Sequence, residues 1–85
     1  MLLDFIHKLP IGYSEVLYAG SKYGLTRTDF NSGKSIKVYA QELGGTNFIS
    51  LNYYITSSKE LLKPCEMSEQ KVIHFLKNLS LIPLG

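Results

Sequence analysis

Residues 35–55 read SIKVYAQELGGTNFISLNYYI, and this stretch decides the fold because apolar and polar residues alternate on both sides of a glycine pair. Alternation with a period of two is typical of a β-strand that has one buried face. The pair Gly44-Gly45 can adopt the positive φ angles that a tight hairpin turn requires. The stretch therefore predicts two antiparallel strands, 35–42 and 47–55.

Short runs rich in Val, Ile, Thr, Tyr and Phe continue on both sides of this hairpin, and turn dipeptides separate them. This arrangement is typical of an antiparallel meander. The predicted turns are Gly20-Ser21, Ser32-Gly33, Gly44-Gly45 and Ser57-Ser58. The predicted strands are 13–19, 22–30, 35–42, 47–55 and 59–63.

Two-residue turns would fix the register of the whole sheet, because a shift of one residue moves every side chain to the opposite face. In that register Val16 pairs with Leu25, Leu25 with Ala40, and Ala40 with Ile49, so that these apolar residues share one face. The opposite face is half polar and half aromatic. Its predicted members are Leu17, Ala19, Thr26, Thr28, Lys37, Tyr39, Gln41, Phe48, Ser50, Asn52, Tyr54 and Leu61.

Helical patterns stand at the two ends of the chain. After Pro64 the apolar period changes to 3.6, and Ser68 is a suitable N-cap, which predicts a helix over 68–79 that closes the apolar face of the sheet. Residues 2–9 predict a short amphipathic helix. The expected fold is one α+β domain over residues 1–85: a five-stranded antiparallel meander with a C-terminal helix packed on one face and a short N-terminal helix.

Composition excludes several classes of function. A formal charge of +2 without any run of like charges disfavours nucleic acid as a partner. The single Cys65 permits no internal disulfide and favours a reducing, cytoplasmic location, and with only His7 and His74 beside it no four-ligand zinc site is expected. No stretch approaches the ~20 apolar residues of a membrane span. We expect no metal, no cofactor and no membrane association.

The aromatic face is the leading candidate for function. Tyr39, Phe48 and Tyr54, with Lys37 among them, form a predicted binding surface, because rigid aromatic side chains with a polar tip are frequent anchors of protein partners. The favoured prediction is a non-enzymatic interaction module that forms a homodimer or binds a protein partner. The N-terminal helix is an alternative cover for this face. An apolar tail, formed by Leu81, Ile82 and Leu84, is a further candidate for the contact.

Two functions of other classes stay open. Cys65 lies three residues before the predicted N-cap, where helix amides can favour a thiolate, so it is a candidate catalytic residue of a thiol-dependent reductase. The competing interpretation is a small residue buried beneath the strand-to-helix connection. His74 would lie on the solvent side of the helix, about two turns further on, so His7 is a possible base only if the N-terminal segment folds back over that corner. A weak single-stranded nucleic-acid binder would use the following residues: Arg27, Lys37, Tyr39 and Tyr54.

Segments over nearly the whole chain carry a resemblance to a group of known proteins. These segments are Gly12-Tyr13-Ser14, Tyr23 to Asn31, Lys34 to Ala40, Glu42 to Gly45, Phe48 to Tyr54 and Leu61 to Met67. They resemble short bacterial proteins of uncharacterised function, some of which carry the label peptide methionine sulfoxide reductase. That resemblance implies a bacterial source and keeps Cys65 as a candidate. The A-type reductases, however, have their cysteine in a Gly-Cys-Phe-Trp motif, whereas this chain reads Lys63-Pro64-Cys65-Glu66 and has no tryptophan.

Overall fold

The computed structural model describes residues 2–83 and shows an α+β fold built on one antiparallel sheet. The strands are β1 Gly12–Tyr18, β2 Ser21–Phe30, β3 Ser35–Glu42, β4 Phe48–Ile55, β5 Glu60–Pro64 and β6 Ser80–Leu81. The helices are α1 Leu2–His7 and α2 Glu69–Asn78. The spatial order is β5-β4-β3-β2-β1-β6, so the first five strands form the predicted meander.

The predicted strand count of five is wrong by one, because β6 adds a sixth strand beside β1. It pairs Leu81 with Val16, and the Ile82 N–H donates to the Glu15 carbonyl at 2.9 Å. A strand of two residues is too short to show an alternation in the sequence. Of the predicted apolar tail, Leu81 and Ile82 therefore belong to the end of the sheet, and Leu84 lies outside the described residues.

Three of the four predicted strand registers are confirmed, including the pairs Leu25 with Ala40 and Ala40 with Ile49. The first hairpin differs, since Val16 lies opposite Tyr23 instead of Leu25. Its turn is Ala19-Gly20, in which both residues have positive φ angles of 51° and 81°, the backbone form that a two-residue hairpin favours. The register shifts by two residues, so each side chain keeps its predicted face, except that Ala19 lies in the turn.

Helix α2 closes one face of the sheet, as predicted. Ser68 caps it, since its hydroxyl oxygen accepts from the Lys71 N–H at 3.2 Å. Val72, Phe75 and Leu76 are buried on its inner side. They pack against the apolar side of the strands, called here the core face, whose buried members are Val16, Tyr23, Leu25, Ile36, Val38, Ala40, Ile49, Leu51 and Tyr53.

Helix α1 also packs on the core face, beside α2, so the alternative in which it covers the aromatic face is wrong. Ile6 and Leu9 are buried in the core. The buried Arg27 fixes this position, because its Nη1 donates to the Leu9 carbonyl at 2.7 Å while its guanidinium forms a two-fold contact with Asp29 at 2.9 Å. A guanidinium at a helix C-terminus satisfies carbonyls that the helix leaves unpaired.

Candidate functional site

The predicted aromatic face is the side of the sheet opposite the two helices, and it is called the open face from here on. Strand alternation places on it Tyr13, Glu15, Leu17, Lys22, Gly24, Thr26, Thr28, Phe30, Lys37, Tyr39, Gln41, Phe48, Ser50, Asn52, Tyr54, Leu61 and Lys63. The four predicted binding residues, Lys37, Tyr39, Phe48 and Tyr54, all lie on it. Tyr13, Tyr39 and Tyr54 are 57%, 40% and 39% exposed. Within residues 2–83, no helix covers these rings.

The centre of the open face is an uncharged row of side chains that crosses the strands. Tyr39 lies opposite Thr26 on one neighbouring strand and Ser50 on the other. Tyr13 continues the row beyond Thr26. Because Thr26 and Ser50 are small, the Tyr39 ring stands above its direct neighbours, which is the geometry of an anchor that fits a partner surface.

Two contacts with neighbouring side chains of the open face hold the Tyr39 ring in place. Its ring stacks on Phe48, with the ring centres 6.2 Å apart and the planes inclined by 28°. Its hydroxyl donates to the Gln41 side-chain oxygen at 3.0 Å. At the end of the sheet, the Lys71 ammonium lies 5.9 Å from the centre of the Phe48 ring. Such fixed rings lose little conformational entropy when a partner covers them.

Tyr13 extends the aromatic surface across β2 because Gly24 leaves room for it. A Cβ atom at Gly24 would lie 2.7 Å from the Tyr13 hydroxyl, so a side chain at residue 24 would displace the ring from this position. The hydroxyl donates to the Glu15 carboxylate at 3.3 Å. Partial desolvation, and then the charge and hydrogen bond of Glu15, raise the pKa of Tyr13.

Sequence reasoning missed two aromatic members of the open face, Tyr13 and Phe30. Both are exposed. Each is an even number of residues away, in its strand, from a residue that was placed on this face: Tyr13 from Leu17 in β1, and Phe30 from Thr28 in β2. Extending the alternation to the strand ends would have found them. With Tyr39, Phe48 and Tyr54 they make a face that carries five aromatic side chains.

Arg27 cannot serve the nucleic-acid binder for which it was a candidate, because it is buried on the core face at 7% exposure. Arg27 stands between Thr26 and Thr28 in β2, and because both threonines were predicted on the aromatic face, alternation already placed Arg27 on the core face. Lys22, Lys37 and Lys63 remain on the open face, beside Glu15. This set is sparse compared with the continuous basic groove that follows a nucleic-acid backbone.

Cys65 follows β5 and is exposed, so the interpretation as a buried small residue is wrong. Its N–H donates to the Ser50 carbonyl at 2.9 Å, which extends the pairing of β5 by one residue. His74, for which no dyad with Cys65 was expected, has its Nδ1 2.6 Å from the Tyr18 hydroxyl oxygen, on the core side of the sheet. The reductase alternative thus gains no base from His74.

Among the described residues, no helix is both long and apolar enough to cross a bilayer. No group of three metal-ligating side chains occurs in residues 2–83 either. No protein-family model, curated protein or solved structure matches the chain. The resemblance to short bacterial proteins therefore stays a prediction.

Proposed function

We propose that the protein is a non-enzymatic self-association module in which two copies pack through their open faces. The observation that supports this most strongly is the uneven distribution of exposed apolar side chains. Of the eight exposed large apolar side chains among the described residues, five lie on the open face, whereas Leu81 lies on the core side; the five are Tyr13, Leu17, Phe30, Tyr39 and Tyr54. Exposed apolar patches that are continuous and rimmed by polar groups mark interaction sites more often than free surface.

A second copy fits the dimensions of the open face. The two longer dimensions of the molecule are 39 and 29 Å, which suffices for the roughly 800 Å² per partner that a stable interface buries. Two sheets can pack face to face with about 10 Å between them and interdigitate their side chains. The fold has helices on one side only, so a second sheet would complete a layered arrangement.

Charge favours one orientation of the two copies. In an isologous dimer, a two-fold axis that crosses the strands at Tyr39 brings the two Tyr39 rings together and places Lys37 of one copy opposite Gln41 of the other. A two-fold axis along β3 would instead place Lys37 against Lys37. Because like charges at an interface are costly, we propose the first orientation.

The test is the molar mass in solution over a range of protein concentrations, measured by light scattering and sedimentation equilibrium. The wild type is expected to be a dimer. Tyr39→Glu combined with Tyr54→Glu should be a monomer with unchanged circular dichroism, since two buried carboxylates per copy would have no partner. The matched control, Gln70→Glu with Ser57→Glu, adds the same charge at exposed positions away from the open face and should remain a dimer.

Two results would contradict the proposal. A wild type that stays monomeric at every concentration excludes self-association, and leaves a different protein as the occupant of the face. A double variant that stays dimeric and folded moves the interface to another surface. Neither result depends on the identity of a ligand.

A further inference from the structure

A second apolar surface lies on the core side of the sheet, between α1, the end of α2 and β6. A half-open cavity of about 250 Å³ occurs there, and its apolar lining consists of Phe5, Leu9, Leu76, Leu79 and Leu81. Leu9 and Leu76 are buried and form its floor, while Leu81 is 44% exposed at its rim. The strands of the sheet separate this cavity from the open face, so the two surfaces can be tested independently.

Positive charge accompanies the apolar lining. The remaining lining residues are Lys8 and Lys77, and no carboxylate side chain is among the described residues that line the cavity. The Lys8 ammonium lies 5.4 Å from the centre of the Phe5 ring, which keeps it beside the cavity. Attraction between a cation and the face of an aromatic ring stabilises this placement.

We propose that this cavity binds the apolar chain of a small amphipathic anion, with the negative headgroup held by Lys8 and Lys77. Apolar walls with a few placed polar groups are the usual composition of a ligand site, and here both charged groups have the same sign. The cavity is smaller than the sites of drug-sized ligands, so it fits a medium-length carboxylate chain better than a whole lipid.

The probe is octanoate, used below its micelle concentration and followed by methyl chemical shifts in the full chain. Octanoate should cause saturable shifts at Leu76, Leu79 and Leu81. Acetate, which has the headgroup without the chain, and octyltrimethylammonium, which has the chain with the opposite charge, should bind at least tenfold more weakly. These two compounds separate recognition of the chain from recognition of the charge.

A variant with Lys8→Gln and Lys77→Gln should lose at least tenfold in affinity for octanoate while its fold stays native. The matched control, Lys34→Gln with Lys59→Gln, removes the same charge at exposed positions in the turns and should bind like the wild type. Three outcomes overturn the inference: no saturable shift, equal binding of the cationic amphiphile, or shifts confined to Tyr39 and Tyr54 of the open face.

Discussion

The two faces of the same sheet use alternate residues of the same strands for different purposes. In β3, Ile36, Val38 and Ala40 are completely buried, whereas Lys37 and Tyr39 between them are exposed. Branched aliphatic and small side chains fill the core face. The open face instead carries aromatic rings with polar tips and small hydroxyl residues around them. The difference indicates that the core face stabilises the monomer, while the open face is suited to contact with another molecule.

The largest expected effect of a single substitution lies on the core face. Leu76→Ala should lower the free energy of unfolding by about 2 to 5 kcal/mol, because it leaves a cavity among buried side chains. Tyr39→Ala on the open face should change the stability of the monomer by less than about 1 kcal/mol. Urea unfolding of both variants, each combined with Tyr54→Glu so that a charge on the open face opposes self-association, would measure the contrast with the Tyr54→Glu parent. An equal loss in the free energy of unfolding for the two variants would show that the open face contributes as much to the stability of the monomer as the core face.

Arg27 is a charged residue buried on the core face, and its removal should have a more local effect. Arg27→Met should cost about 1 to 3 kcal/mol, since the carbonyl groups at the end of α1 and the Asp29 carboxylate lose their donor. Amide hydrogen exchange should accelerate most in residues 2–9. Asp29→Asn, which keeps the contact between Arg27 and α1, is the control and should leave α1 protected. Unchanged protection of α1 in Arg27→Met would remove Arg27 as the anchor of that helix.

The raised pKa of the Tyr53 hydroxyl predicts that the protein loses stability at high pH. Burial, and then the hydrogen bond to Glu60 and its charge, raise the pKa of Tyr53 to about 12. Because the unfolded value is about 10, the stabilisation is complete below pH 10 and is lost as the pH rises toward 12, with a slope of up to about 1.4 kcal/mol per pH unit. Urea unfolding between pH 9 and 12 should show a flatter profile for Tyr53→Phe than for the wild type. An identical profile would contradict the raised pKa.

Residue 41 offers the finest test of the proposed dimer orientation. Gln41→Lys should weaken dimerisation and Gln41→Glu should strengthen it, each by about tenfold or less, because the proposed two-fold axis would place Lys37 of the other copy opposite residue 41. Dissociation constants from sedimentation equilibrium at low salt measure both changes, and added salt should reduce them. Effects of the same sign in the two variants would argue against this two-fold axis.

Much of the fold could be predicted because it depends on local patterns. Gly44-Gly45 and Ser57-Ser58 gave the correct register of three strands, and Ser68 gave the start of α2. The first turn was misplaced because Ala19 adopts a left-handed conformation that glycine usually provides. Strand β6 is too short to produce a periodic signal.

The placement of α1 and Cys65 could not be predicted in the same way. The apolar stripe of residues 2–9 fits either face of the sheet, and the choice depends on a contact between distant residues, Arg27 and the Leu9 carbonyl. The exposure of Cys65 follows from β5 being an edge strand with Pro64 at its end. By contrast, the four predicted binding residues followed from alternation alone, which is why Lys37, Tyr39, Phe48 and Tyr54 were placed together on one face.

The most direct test of self-association through the open face is an isotope-filtered NMR experiment on a mixture of labelled and unlabelled protein. In such a sample, only contacts between two copies give cross-peaks. The proposed dimer predicts cross-peaks between the two Tyr39 rings and between Lys37 of one copy and Gln41 of the other. Cross-peaks confined to α2 or to β6, or none at concentrations where the mass is dimeric, would contradict it.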